Sequence, residues 1–455
     1  MLDVSERCQA EATIFIFYLN GPRFNPLAQR NSQAVNNPIR AWLLYGIFAR
    51  ECLQQLLRII SARKIFLKDC QCRIRPEGQT GSRIPTKNGI PVKIKKYLLL
   101  PTLGIFSSIA HAQSSVTLYG SIDEGFQYTS NVGGHSVYAL VSGVQQQGNR
   151  WGLKGQEDLG GGLSALFLLE NGFSLNNGSA LPNGQMFGRQ AYVGLASDNA
   201  GAVTFGRQYD SVVDYVAPLT ATGSWGGSLF EHLFDNDNTG ESFRIDNSVK
   251  YTSANYSGLQ FGGLYGFSNQ AGAFADNRAW SAGAKYVNGP LAVAAAFMDI
   301  DNASANTGGA VTESPYLSAK QRVATAGANY TIGASTLGLV YSHTEIVDRP
   351  TTPATTLKFD NVEFNAKVNL TAQWFIAAMY TYTNVLNSFS PDRSAHQNQL
   401  GLMADYRLSK RTDCYVQTVY VKESGQAIPP AIGSSGGESS ANNQTVARVG
   451  IRTLF

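Results

Sequence analysis

From Ser115 onward the side chains of this chain alternate in character residue by residue. Val116, Leu118, Gly120, Ile122 and Phe126 share one parity, and Thr117, Tyr119, Ser121, Asp123 and Gln127 share the other. Successive side chains of a strand point to opposite faces, so this period marks a sheet with one apolar and one polar face. The pattern recurs in sixteen segments, approximately 115–128, 148–158, 163–174, 186–197, 201–209, 245–253, 258–268, 278–287, 290–300, 320–331, 334–344, 358–369, 372–384, 395–408, 411–423 and 443–455. Many reach the length of about ten residues that a tilted strand needs to cross a bilayer.

The connections alternate too. Short ones fall at 159–162, 256–258, 288–289, 333, 371 and 409–410. Long ones fall at 129–147, 210–244, 301–319, 345–357, 385–394 and 424–442. Short turns on one rim and long loops on the other are the layout of a transmembrane antiparallel β-barrel. The last segment alternates to its end, with Ala447, Val449, Ile451, Thr453 and Phe455 on one face. Such a strand is suited to pair with the first and close the barrel. The expected fold is therefore all-β, a barrel of sixteen strands. No run of about eighteen apolar residues occurs, so a helical membrane protein is excluded.

Charge divides the chain near Ala112. Residues 1–91 hold 13 Lys/Arg against 6 Asp/Glu, whereas residues 113–455 hold 20 against 26. Four of the five cysteines precede the break and only Cys414 follows it, so the later part forms no internal disulfide. At the break lie a basic stretch (Val92 to Lys96), an apolar stretch (Tyr97 to Phe106) and the small-x-small site Ala110-His111-Ala112 before Gln113. This is the order of a cleaved secretory signal peptide, assigned to 92–112, and its apolar part is too short to span a bilayer. Export signals act near an amino terminus, so 1–91 is read as a non-native or untranslated extension. The competing reading is a long leader with a basic amphipathic helix over 37–66.

Segments four and five alternate poorly. Arg189 shares parity with Ala191, Val193 and Leu195, and Arg207 with Val203 and Phe205. Pattern alone assigns them no facing; burial against a neighbouring subunit would account for it. On segment two the facing is clearer. Arg150 and Lys154 share one parity, and Trp151 and Leu153 the other. An arginine facing lipid near the midplane costs about 2–4 kcal/mol, so Arg150 and Lys154 are expected in the lumen.

Six segments together carry a family likeness: SVTLYG at 115–120, RWGLKGQEDLGGG at 150–162, FGRQAYVGL at 187–195, VTFGRQYD at 203–210, RIDNSVKY at 244–251 and VGIRTLF at 449–455. Residues 113–455 resemble the Gram-negative general porins of the beta-proteobacterial type. The resemblance implies a homotrimer, a third extracellular loop folded into the lumen, and basic wall residues opposite acids on that loop. By position the loop is Tyr209 to Phe243. By motif, Arg150, Arg207 and Arg244 are the wall arginines. Glu231, Asp235, Asp237 and Glu241 are the loop acids, with Asp214 and Asp246 flanking. Two departures stand out: Thr453 and Leu454 where the family has His and a basic residue, and Leu166 and Leu168 on inward parity beside Glu170.

The expected activity is passive diffusion of ions and small hydrophilic solutes across a Gram-negative outer membrane, with modest preference for small anions. A solute-specific channel is the alternative; a barrel enzyme or adhesin is a weaker one. Partners would be two further copies of the chain, outer-membrane lipid and lipopolysaccharide, and no nucleic acid. No cofactor and no metal is expected. Asp235-Asn-Asp237-Asn-Thr239-Gly240 resembles half a calcium loop but lacks the closing Glu and the flanking helices. His135, His232, His343 and His396 have no metal spacing, and no G-x-S-x-G elbow is present.

Overall fold

A computed structural model describes residues 115–143, 148–313, 316–349, 355–388, 394–425 and 429–455. The signal-peptide and extension assignments at 1–112 lie outside the described residues. Eighteen strands follow one another: β1 Ser115–Val132, β2 His135–Ser142, β3 Arg150–Gly160, β4 Leu163–Phe173, β5 Ala180–Leu181, β6 Gln190–Ser197, β7 Gly201–Gln208, β8 Ile245–Thr252, β9 Leu259–Gly266, β10 Arg278–Asn288, β11 Leu291–Asp301, β12 Lys320–Ile332, β13 Ser335–Arg349, β14 Thr355–Asn369, β15 Trp374–Asn387, β16 Ser394–Arg407, β17 Thr412–Gly425 and β18 Asn443–Leu454. All pairings are antiparallel. β18 pairs with β1 from Ser121↔Leu454 to Thr129↔Val446, which closes the sheet.

Sixteen of these strands make the barrel wall and correspond one for one to the sixteen expected segments. The other two lie between the expected segments, β2 within the 129–147 stretch read as a loop. β2 is the return arm of a hairpin that continues β1 outward, and β5 is a two-residue rung on β4. β1 serves two neighbours on one edge: residues 115–121 pair with β3, and 124–132 with β2.

Burial runs opposite to that of a water-soluble sheet. Val116 is 64% exposed, Leu339 56% and Phe364 50%, while Gln399, Asn361 and Gln417 are buried. Exposed apolar side chains on one parity and buried polar ones on the other place lipid outside and the polar face inside. Turns on the short-turn rim use glycine where the chain needs positive φ, as at Gly289 (φ 56°) between β10 and β11.

The loop between β7 and β8 folds inward along the wall. Ser211 bonds Ser281 on β10 (3.0 Å), the Ala221 amide donates to Glu363 on β14 (2.8 Å), and Gln399 on β16 donates to the Leu229 carbonyl (3.1 Å). Gln417 on β17 donates to the Gly226 carbonyl (2.6 Å). Apolar packing adds to these bonds. Val212, Val216 and Leu219 meet Met298, Val323 and Val340; Trp225 and Phe230 meet Phe375, Met379 and Met403. Strands β11 to β17 are therefore apolar on parts of both faces, one toward lipid and one toward this loop.

Phe230 docks where β16 has no side chain. A Cβ built on Gly401 would lie 2.5 Å from the Phe230 ring. Gly401→Val should therefore displace the ring and weaken loop docking by about 1–3 kcal/mol, the usual range for overpacking. Thermal denaturation of the purified barrel checks this; an unchanged midpoint and unchanged channel conductance would refute it.

Candidate functional site: the lumen constriction

Where the loop leaves and rejoins the wall, charged side chains gather. Arg150 reaches inward from β3 to Glu170 on β4 (3.5 Å). Arg189, just before β6, bonds the same Glu170 (2.9 Å), Glu241 of the loop (2.8 Å) and the Tyr209 hydroxyl (2.8 Å). Arg244 donates to the Tyr209 hydroxyl (2.7 Å), and its guanidinium lies over that ring at 4.9 Å. Tyr209 in turn donates to Glu241 (2.9 Å), and Tyr119 on β1 donates to Glu170 (2.8 Å). Lys154 faces the lumen, 5.4 Å from the Tyr119 ring centre. Three arginines and a lysine thus share one arc of wall with two carboxylates, and carry the excess charge.

Arg207 does not join them. On β7, Thr204 and Gln208 face inward, Thr204 donating to Gln208 and Gln208 to Ser248, while Val203 and Phe205 are exposed outward. Arg207 has the outward parity. A bulge in β8 sets Asp246 and Asn247 opposite it, between the pairs Gly206↔Ser248 and Gln208↔Ile245. There Arg207 bonds Asp246 (2.6 Å), Glu313 (2.6 Å) and the Gly188 carbonyl (2.7 Å). Its assignment to the constriction is corrected, and Arg189 takes that place. The conflict of Arg189 with the apolar parity of β6 was the available signal: it precedes the strand's first paired residue and turns inward to Glu170.

The loop acids also divide. Asp237 is fully buried between loop and wall, 2.6 Å from His232 Nδ1, and accepts from Ser342 and Thr239. Asp235 is buried as well, accepting the Gly240 and Ser242 amides (2.7 and 3.0 Å). Neither opens onto the lumen as expected; both hold the loop together. Glu231 is part-exposed, and Glu241 faces Arg189. Asp214 is tied to Lys250 of β8 (2.6 Å).

Titration follows from these surroundings. Burial works against ionised Glu241, but Arg189, Arg244 and Arg150 outweigh it and hold the carboxyl below its usual value. Burial likewise opposes charge on His232, yet Asp237 and Glu363 raise the imidazole well above its usual value. Asp237 is held down to about 2 by His232 and its hydrogen bonds, against the effect of burial. Asp235 is pushed up to about 6 by burial and by Asp237, and Glu231 is raised in the same way.

A carboxyl whose value is raised in the docked loop costs stability once pH passes its free value of about 4 and rises through the raised one. His232 and Asp237 act otherwise. The first contributes fully below about 6.5 and loses that contribution as pH rises through its raised value, the second only as pH falls from about 4 toward 2. Docking should be tightest in mild acid. Raising pH from 5 to 8 should increase open-channel current noise, and Asp235→Asn should flatten that dependence. An identical pH profile in the variant would refute the assignment to Asp235.

Comparison with known proteins decides the family. The profile of the Gram-negative porin family matches residues 101–426. This chain belongs to the Gram-negative porins. An outer membrane porin protein of Bordetella pertussis is 34% identical over 373 residues, covering 72% of this chain and 94% of the relative. Outer membrane porin protein 32 of Delftia acidovorans is 28% identical over 381 residues, covering 80% and 100%. Among solved structures, an anion-selective porin from Comamonas acidovorans superposes with a TM-score of 0.62 at 26% identity, covering 75% of this chain and all of that one. The porin is thus an outer-membrane diffusion channel of a Gram-negative bacterium, passing ions and small hydrophilic solutes through its barrel.

Proposed function

We propose that this porin is a homotrimeric general diffusion channel with a modest preference for small anions, that it does no chemistry on what passes, and that a cleaved signal peptide exports it. The observation that carries the selectivity is the uneven arc at the constriction. Arg150, Arg189, Arg244 and Lys154 stand against only Glu170 and Glu241, while Asp235 and Asp237 are turned into the loop. Arg407, Arg452 and Lys367 against Asp405 and Asp413 leave one further positive charge on the inward face of β14 and β16 to β18, with Asp413 bound to Arg452 (2.8 Å). Rings of charge at a narrow point select among ions. The similar Comamonas protein, described as anion-selective, supports the same sign.

The test is reconstitution in a planar bilayer under a salt gradient. The expected result is a reversal potential on the anion side, with closures in three equal steps. A cation-side potential or single-step closure of the whole conductance would refute the corresponding half. Saturable, stereoselective flux of one solute would instead favour a solute-specific channel. Amino-terminal sequencing of the membrane form should begin at Gln113; peptides from 1–91 in outer-membrane preparations would contradict the processing.

A further inference from the structure

On β3, β4 and β6 the inward face carries apolar side chains on the short-turn side of the constriction. Ser164 and Glu170 of β4 are buried inward, so Leu166 and Leu168 between them share that face. Strand register sets Lys154, Leu168 and Tyr192 side by side in one row across β3, β4 and β6. Gln156, Leu166 and Gly194 form the next row toward the short-turn rim. Leu166, Leu168 and Tyr192 are part-exposed, and Lys154 is exposed. The constriction loop docks along β10 to β17, through Ser281, Glu363, Gln399 and Gln417. These two rows therefore border the water of the passage.

A leucine facing water lowers its free energy only when something apolar covers it. Neither leucine belongs to the buried clusters that pack under the loop. The charges around the patch are unequally committed. Glu170, two residues further along β4, is taken up by Arg150, Arg189 and the Tyr119 hydroxyl. Lys154 has no carboxylate at ion-pair distance among the described residues, and its ammonium stands 5.4 Å from the Tyr119 ring centre. Toward the rim Gln156 donates to Ser164 (3.1 Å), so those polar groups are paired with each other. Gly194 opposite Leu166 and Gly206 opposite Tyr192 add no side chain. The result is an open apolar platform with one cation at its edge.

We propose that this platform is a subsite for organic anions that join a carboxylate to an apolar or aromatic body. It extends the anion preference argued above and rests on it for the arrival of anions at the constriction. Neighbouring strands lie about 4.8 Å apart, so the row from Lys154 to Tyr192 spans about 10 Å. A carboxylate held by Lys154 places a six-membered ring over Leu168 and against the Tyr192 ring, where offset or edge-on contact is favourable. Chloride meets the same ammonium but has no body to cover the leucines. A small polar carboxylate gains only the exposed ion pair, which is weak in water. The platform thus sorts anions by apolar surface, which the arginine arc does not. Because it is open, retention is brief and passage continues, as conduction requires.

The test measures chloride current through the intact porin in a planar bilayer at pH 7, with benzoate or lactate added; both are ionised there. Benzoate should halve the current at a concentration roughly fivefold below that of lactate, the difference being the apolar surface it covers. Leu166→Ser/Leu168→Ser should bring the two concentrations together. The reversal potential in a potassium chloride gradient should stay in place, because the arginine arc is untouched. If that variant fails to fold, Leu168→Gln alone should lower the ratio roughly twofold, since half of the leucine surface remains. Equal concentrations for the two anions in the wild type would overturn the proposal. So would the full wild-type ratio in a folded leucine variant. A cation-side reversal potential with the benzoate ratio intact would count against the selectivity reading and for the platform.

Discussion

Replacing His232 with leucine should release the constriction loop from the wall while leaving the barrel closed. His232 is fully buried, with Nδ1 2.6 Å from Asp237 and Nε2 3.2 Å from Glu363 on β14. Its ring bridges Asp237 of the loop and Glu363 of the wall, and Glu363 also accepts the Ala221 amide of the loop. Removing one member of a buried ionic cluster typically costs about 3–5 kcal/mol, because the remaining charges are left without a counterion. The β1–β18 seam that closes the barrel contains none of these residues. At pH 7.5 the variant should show larger conductance and a loop open to protease, with an unchanged strand signature in circular dichroism. Asp237, whose carboxyl His232 helps to hold low against the effect of burial, loses that counterion in the variant. Wild-type conductance and protease resistance in the variant would show that the histidine bridge does not hold the loop.

The second large effect is on selectivity. Arg150→Ala/Arg189→Ala/Arg244→Ala should raise conductance and shift the reversal potential toward cations. In water a unit charge about 8 Å away is worth about 0.5 kcal/mol. Screening at physiological salt cuts this to about a third at that distance, one Debye length. Three charges together then contribute about 0.6 kcal/mol, a two- to threefold change in local anion concentration. Arg207→Ala supplies the contrast. The family resemblance groups that residue with Arg150 and Arg244, yet it is tied to Asp246 and Glu313 on the outward parity of β7. Its removal should leave the reversal potential in place. A shift with Arg207→Ala, or none with the triple variant, would move the selectivity element elsewhere.

The sixteen wall strands were legible because a barrel strand repeats a local signal: one face must suit lipid, so parity can be read from Val116 to Phe126 or from Trp374 to Leu386 without knowing any partner. Turn lengths added the two rims. The inward loop was legible in extent, because the long gap between the fifth and sixth segments has no other place in the family pattern. The β2 hairpin was not, since Val137, Tyr138, Ala139, Leu140 and Val141 are apolar on both parities and residues 135–142 carry no one-faced signal.

What the lumen presents was decided at longer range. Parity places Arg150 and Lys154 inside, and the fold keeps them there. It also gives Arg207 an outward face, which its motif contradicted and the β8 bulge made workable by setting Asp246 beside it. Arg189 departs from the alternation because its partners, Glu170, Tyr209 and Glu241, come from three separate segments. Asp235 and Asp237 look like lumen acids in a list of loop residues, but the loop's own turns and β13 enclose them. Alternation is a property of neighbours in the chain and determines the barrel. The sign and exposure of charge at the constriction depend on which side chains meet across the lumen, and only the folded loop against the closed wall brings them together.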